Sequence, residues 1–237
     1  MAKRLFDCLS ALIALILLSP LLVSSVIGVR LCSAGPALYR ARRVGVGGHE
    51  FVMYKFRTMH VATRPGSVIT ASEDPRVFAL GRILRAMKID ELPQLWNVVR
   101  GEMSVVGPRP EDPRIVQQHF GPLGMETLSV RPGLASPGSL YNYTHGNSMV
   151  DQNDPEAAYV RELLPVKLAL ELVYVRHRSL RYDLLIVLRT ALTIFQIGIG
   201  RKHFPEPPEM PEASNLLKDH AAAFVRGASL HPAPPQI

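Results

Sequence analysis

Residues Cys8–Val29 read CLSALIALILLSPLLVSSVIGV, a run of 22 residues without a charge. At roughly 1.5 Å of rise per residue, a helix of that length crosses a hydrocarbon core of about 30 Å, so the default reading is a spanning helix. Two features point instead to a segment that enters a membrane and turns back. Ser19-Pro20 sits near the middle of the run, where proline lacks an amide donor, frees the carbonyl of Ile16 and clashes with the preceding turn. The Ser19 hydroxyl is suited to satisfy part of that backbone. Positive charge also flanks both ends, with Lys3 and Arg4 before the run and Arg30, Arg40, Arg42 and Arg43 after it. By the positive-inside rule each flank belongs in the cytoplasm, which a re-entrant helix broken at Ser19-Pro20 satisfies. A kinked spanning anchor is the alternative on pattern alone, because proline kinks are tolerated in membrane helices. A cleaved signal peptide fits less well, since no small-x-small site closes the run and Arg30 follows at once.

The 237 residues are 47% hydrophobic overall, enough to bury a core in one large domain or two small ones. Twenty prolines and seventeen glycines imply many turns, so an α+β or irregular α fold is expected. The two cysteines, Cys8 and Cys32, lie in or beside the apolar run without metal-ligand spacing, which argues against a disulfide framework. Net charge is +7, and residues 1–70 account for it with nine Lys/Arg against two acids, while the remainder balances. A basic block beside an apolar anchor suits an anionic leaflet and phosphate ligands. It does not suit nucleic acid, because stacking aromatics are not interleaved with it.

Residues 37–60 read as a β-hairpin around Gly47-Gly48, with a strand over Phe51–Phe56 that puts Lys55 and Arg57 on one face and Tyr54 and Phe56 on the other. Residues 61–75 are expected to be loop. From Arg76 to Arg100 the pattern is helical: Leu80, Ile83, Leu84 and Met87 form one apolar stripe, and Leu92, Leu95, Trp96 and Val99 repeat it after Pro93. Trp96 and Phe56 are read as core. The stretch 107–114, GPRPEDPR, is extended, 115–128 helical, and 129–150 a polar loop. An amphipathic helix interrupted by Pro165 is expected over 155–178, and an apolar interfacial helix with a snorkelling Arg189 over 183–199. The Pro/Glu-rich tail from Phe204 is expected to be poorly ordered. The chain thus divides into a membrane helix (1–36), a catalytic domain (37–203) and a tail (204–237).

Asp90-Glu91 sits between Arg82, Arg85 and Lys88 on one side and Arg100 and Arg109 on the other. Adjacent carboxylates at a helix start can hold a hard cation such as Mg²⁺, and an ionised aspartate can attack phosphorus if cations neutralise the phosphate. Cationic surroundings favour phosphoryl transfer over acid hydrolysis. Taken as a bare dipeptide, the pair is better explained by Asp90 capping the helix and Glu91 filling its first turn.

The context around the pair is specific. Asp90-Glu-Leu-Pro-Gln-Leu-Trp-Asn97, followed by Arg100-Gly-Glu-Met-Ser-Val-Val-Gly-Pro-Arg-Pro110, closely resembles the signature of the bacterial sugar transferases, the monotopic polyprenyl-phosphate phosphoglycosyl transferases. So do Lys3-Arg4-Leu-Phe-Asp7, the Ser19-Pro20 break, Tyr54-Lys-Phe-Arg-Thr-Met59, Arg131-Pro-Gly133 and Ser179-Leu-Arg-Tyr-Asp183, in the same order over residues 3–195. The resemblance implies a mostly helical α+β fold with a re-entrant membrane helix, a small hairpin and amphipathic interfacial helices. It implies Asp90 as a nucleophile forming a covalent phosphosugar, and Glu91 as its partner, both implicated with Mg²⁺. It further implies Arg85 on phosphate, Arg109 at the nucleotide-sugar site, and Lys55, Arg131 and Asp183 as further active-site polar groups. Asp183 has an equal claim as the cap of the helix that follows it. After Gly133 the chain reads Leu134-Ala-Ser-Pro-Gly-Ser-Leu-Tyr-Asn-Tyr-Thr-His145 where relatives commonly continue with a Thr-Gly-Trp type segment.

The expected partners are a nucleoside-diphosphate sugar, a polyprenyl phosphate and membrane lipids, with a homodimer allowed and nucleic acid not expected. The implied place is the bacterial inner (cytoplasmic) membrane, with the active site on its cytoplasmic face. The competing class is a non-catalytic membrane scaffold whose basic half holds anionic lipids.

Overall fold

A computed structural model describes residues 2–61, 75–149 and 154–226. The loop expected over 61–75 therefore lies almost wholly outside the described residues. The protein is mostly helical, with two small two-stranded sheets. The apolar run forms α1 (Ala2–Leu17) and α2 (Ser19–Cys32), joined at Leu18 and bent by 63°. Among the described residues no single helix is long and apolar enough to cross a membrane; this bent pair passes only when its halves are taken together. The cause of the bend is local. Pro20 lies in the first turn of α2, and Ser19 Oγ donates to the Ile16 carbonyl at 2.7 Å, the oxygen that proline leaves without an amide.

Both ends of the bent pair are tied to the rest of the molecule. At the start of α1, Lys3 Nζ donates to Asp183 Oδ2 at 2.6 Å, and Arg4 donates to the carbonyls of Val98 and Val99 at 2.5 and 2.7 Å. One turn on, buried Asp7 accepts from Ser104 Oγ at 2.8 Å and from the Val105 amide at 3.1 Å. At the end of α2, buried Arg57 donates to the carbonyls of Ser33, Ala34 and Pro36 at 2.6 to 2.9 Å. The tip of the bend is left bare, with Ile16 72% and Leu17 73% exposed.

The hairpin pairs β1 (Leu38–Val44) antiparallel to β2 (Glu50–Phe56), turning through Gly47 and Gly48. Both glycines have positive φ (66° and 83°), which side-chain-bearing residues adopt reluctantly. Next come α3 (Ala79–Ala86), a 3₁₀ turn at Ile89–Glu91 and α4 (Gln94–Arg100). Asn97 locks α4 to β2 by accepting from the Tyr54 amide and donating to the Val52 carbonyl. A parallel pair, β3 (Ser104–Val106) and β4 (Gly133–Ala135), carries the GPRP loop. A Cβ on Gly133 would lie 2.1 Å from the Gly107 amide nitrogen, so the two backbones touch only because both residues are glycine.

Helices α5 (Pro113–His119), α6 (Pro122–Glu126), α7 (Pro137–Met149), α8 (Pro155–Ala158), α9 (Leu164–His177), α10 (Leu180–Gly198) and α11 (Met210–Phe224) complete the chain. The core centres on α9, with Leu164, Leu168, Leu170 and Leu172 packed against Phe120, Ile115 and Phe224.

Several expectations change here. The stretch 137–149 is helix, not loop: Ser136 caps it by accepting from the Ser139 amide, and Pro137 opens its first turn. Helix α9 is buried all round instead of amphipathic, and Pro165 falls in its first turn after a π turn at Tyr159–Leu163. Arg189 does not snorkel; it binds Glu209 at 2.6 and 3.1 Å. That contact brings in residues 204–226 of the tail, where composition suggested poor order, since α11 follows Glu209 and lays Ala213 and Phe224 into the core; residues 227–237 of the tail lie outside the described residues. Trp96 is 51% exposed and is not core, whereas Phe56 is buried.

Candidate active site

The 3₁₀ turn holding Asp90 and Glu91 follows Lys88, whose backbone is left-handed (φ 56°, ψ 19°). This break between α3 and α4 sets the two carboxylates against β2 instead of continuing one helix through them. Both are buried, with 8% and 7% of their surface exposed, at the floor of a cleft of about 1810 Å³. Neither acts as a helix cap: no side-chain cap bond is made at the start of the 3₁₀ turn or of α4.

Glu91 is fully engaged. Its Oε1 accepts from Lys55 Nζ at 3.0 Å and Arg109 Nη2 at 2.5 Å, and its Oε2 from Arg109 Nη1 at 3.1 Å and the Tyr143 hydroxyl at 3.3 Å. Burial opposes its ionisation, but the charges of Arg109 and Lys55 outweigh burial and hold it well below the usual carboxylate range. Asp90 is the reverse case. Burial, then the neighbouring Glu91 charge, push it up against the pull of Lys55, Lys88 and Arg85. Its Oδ1 is buried with no hydrogen-bond partner among the described residues. Two adjacent carboxylates are thus driven apart in acidity, a pattern that separates roles in reactive sites.

Cations ring the pair. Lys55 reaches it from β2 and, against the pull of Glu91, is lowered by burial. Arg85, on the last turn of α3, donates from Nε to Thr58 Oγ1 at 2.8 Å and lines the same cleft. Arg109 arrives on the GPRP loop, and its amide donates to Glu171 Oε1 of α9 at 3.1 Å. Glu171, pushed up to about 7 by burial, also accepts from Ser136 Oγ at 2.7 Å, so α7 and the loop share one buried anchor. A second polar group on the cleft wall joins Glu111, Tyr159 and Lys167.

Lys55, Arg85, Asp90, Glu91 and Arg109 therefore converge, while Arg131 and Asp183 stand apart. Arg131 donates from Nε to the Gly101 carbonyl at 2.8 Å. Asp183 is buried against Lys3 and the Tyr174 hydroxyl; Ser179, not Asp183, caps α10 by accepting from the Tyr182 amide. Sequence reasoning missed Tyr143 and gave Lys88 no role beyond flanking charge. The Ser136-Pro137 start of α7 was the available signal for the helix that delivers Tyr143.

Mg²⁺ is bound through one or two carboxylates together with phosphates and waters. The unpartnered Oδ1 of Asp90 and the more loosely held Oε2 of Glu91 are suitable donors, so these residues fit such an ion. Among the described residues no group of three or more His, Cys, Asp or Glu could hold a metal alone.

The fold and site define a cleft lined by cations, with a buried carboxylate pair in it. The sequence model of the bacterial sugar transferases matches residues 1–197, and the chain belongs to that family. It is 36% identical over 203 residues to a UDP-N-acetylgalactosamine-undecaprenyl-phosphate N-acetylgalactosaminephosphotransferase of Aeromonas hydrophila, covering 84% of this chain and 45% of that protein. It is 39% identical over 191 residues to a UDP-glucose:undecaprenyl-phosphate glucose-1-phosphate transferase of Caulobacter vibrioides, covering 79% and 67%. With the exopolysaccharide production protein ExoY of Rhizobium meliloti it shares 35% identity over 214 residues, covering 80% and 84%. The chain thus spans less than half of the Aeromonas relative and most of the other two.

Proposed function

We propose that the protein transfers a sugar 1-phosphate from a nucleoside-diphosphate sugar, a UDP-sugar, to undecaprenyl phosphate, through a covalent intermediate on Asp90, as an early membrane step of polysaccharide synthesis. The observation that carries this reading is the buried, unpartnered Oδ1 of Asp90 beside a Glu91 already neutralised by Lys55 and Arg109. A carboxylate oxygen without a hydrogen bond is costly to bury and is available for attack. Family membership and the relatives' names supply the substrate class.

In the first half, an Asp90 oxygen attacks the phosphorus bearing the sugar, the bond to the bridging oxygen breaks, and nucleoside monophosphate leaves. In the second, a polyprenyl phosphate oxygen attacks the same phosphorus and expels Asp90. Arg85 and Arg109 line the cleft where the diphosphate charge must be met. Mg²⁺ held at Asp90 and Glu91 would supply further charge neutralisation, favouring the ionised form of an aspartate that burial pushes up. The cleft exceeds the roughly 300–1,000 Å³ of one small-ligand site, which suits two phosphorylated head groups used in turn.

The bent α1–α2 pair is read as a re-entrant element with the cleft on the cytoplasmic side. Its two ends are held to one body by Lys3, Arg4 and Asp7 at one end and Arg57 at the other, whereas a spanning helix would part them by about 30 Å. The exposed apolar side chains of α10, among them Leu188, Leu192 and Phe195, suit an interfacial position. Incubation of the purified protein with a panel of UDP-sugars, Mg²⁺ and undecaprenyl phosphate tests the reaction. Uridine monophosphate and a lipid-linked sugar diphosphate are expected with at least one donor. No uridine monophosphate across the panel contradicts the reading and favours the lipid-binding scaffold.

A further inference from the structure

Lys88 is a cation near the carboxylate pair that is not directly bonded to either carboxylate. Lys55 and Arg109 are both bound to Glu91, and Arg85 is bound to Thr58. The Lys88 ammonium has neither a hydrogen bond nor an ion pair among the described residues; its one contact is the face of Tyr143, with Nζ 3.7 Å from the ring centroid. Tyr143 is itself fixed, since its hydroxyl donates to Glu91 and accepts from Arg109. The left-handed backbone at residue 88 turns the chain at this point, and Lys88 lines the same cleft as Asp90, Arg85 and Arg109.

We infer that Lys88 is a phosphate-binding residue of the cleft, held on the Tyr143 ring with its three N–H donors directed to an incoming phosphate or diphosphate. An ammonium over an aromatic face keeps its hydrogen-bonding capacity, because the ring attracts the charge without accepting conventional hydrogen bonds. The ring thus holds the side chain in place and leaves the donors for a ligand. The inference rests on the proposed transfer and extends it by adding a phosphate contact from the turn that carries Asp90, held in place by Tyr143 of α7.

Two sources could supply the phosphate, the nucleotide donor and the lipid acceptor, and the experiment separates them. Binding of inorganic pyrophosphate to the full detergent-solubilised protein is measured first, by calorimetry, for wild type, Lys88→Met and Lys88→Arg. The methionine keeps the stem and removes the charge; the arginine keeps the charge. Affinity is expected to fall by about tenfold or more in Lys88→Met, the loss of one charge-assisted hydrogen bond, and to be largely restored in Lys88→Arg. Unchanged affinity in Lys88→Met, equal losses in both variants, or no pyrophosphate binding by wild type overturns the inference. Turnover then assigns the source: KM for the UDP-sugar rises at saturating lipid if the donor is bound, and KM for undecaprenyl phosphate rises at saturating donor if the acceptor is. A protein that binds pyrophosphate through Lys88 but releases no uridine monophosphate leaves this inference standing and sinks the transferase reading.

Discussion

Two buried acidic clusters, Asp7 with Asp183 and Asp90 with Glu91, differ in one respect. Around Asp7 and Asp183 every charge is answered: Asp7 accepts from Ser104 and the Val105 amide, and Asp183 accepts from Lys3 and Tyr174. Around Asp90 and Glu91 the accounts do not close. Glu91 has more donors than it has oxygens, Asp90 Oδ1 has none, and Lys88 rests on a ring. Both clusters draw on motifs that carry the family resemblance, Lys3-Arg4-Leu-Phe-Asp7 and Ser179-Leu-Arg-Tyr-Asp183 for one and Asp90-Glu91-Leu-Pro93 for the other. The difference teaches that motif strength does not separate a structural clamp from a reactive site. An unpartnered buried atom alone does not either, since Glu171 Oε2 and Arg189 Nε share that state; what sets the second cluster apart is that its unpartnered carboxylate oxygen lies among cations that line a cleft.

The comparison is broken most directly at its largest effect. Asp90→Asn is expected to lower turnover by on the order of 10⁴-fold or more, as for loss of a nucleophile, while leaving thermal stability unchanged or raised. A retained rate, or a stability loss matching the activity loss, removes the distinction between the clusters. Next in size is the clamp. Asp7→Ala strands the Val105 amide and the Ser104 hydroxyl in the interior and is expected to destabilise by about 1–3 kcal/mol. That amount is read as a melting-temperature drop of roughly 2–4 °C per kcal/mol. An Asp7→Ala protein as stable as wild type refutes the structural reading of that motif.

The smallest effect comes from Glu171. Burial weakens it as an acid in the folded state, pushing its pKa up from the usual 4.5 to about 7, so between these values the folded protein holds a proton that the unfolded chain has released. Stability from this group is therefore present at low pH and is lost as pH rises from about 4.5 to 7. Glu171→Gln is expected to flatten that decline, seen as a few degrees less difference between melts at pH 5 and pH 8 on the scale of about 2–4 °C per kcal/mol. Identical pH profiles in the two proteins would show that Glu171 is ionised in the fold.

Much of this was legible before the structure. The Ser19-Pro20 break, the Gly47-Gly48 hairpin and the α3–α4 stripe follow from local chemistry: a missing amide, positive φ and helical spacing. The misreadings have a common cause, which is that composition was averaged over a window while single residues at its edge set the outcome. Ser136-Pro137 starts α7 inside a stretch whose overall polarity suggests loop. Residues 204–226 of the tail are joined to the body through Arg189 and Glu209, twenty residues apart, a contact that no local pattern encodes. The convergence of Lys55, Arg85, Arg109 and Tyr143 on one turn was likewise out of reach, since they come from β2, α3, the GPRP loop and α7. Family resemblance grouped Arg131 and Asp183 with them, and only the fold separates their surroundings.

The central claim is that Asp90, not Glu91, is the atom donor to phosphorus. Its most direct test is rapid-quench mass spectrometry of the full chain mixed with a turned-over UDP-sugar and Mg²⁺ in the absence of polyprenyl phosphate, followed by peptide mapping. The account predicts a sugar phosphate adduct on Asp90 that forms with uridine monophosphate release and disappears when undecaprenyl phosphate is added. An adduct on Glu91, or product formation at full rate with no adduct at any quench time, would contradict it.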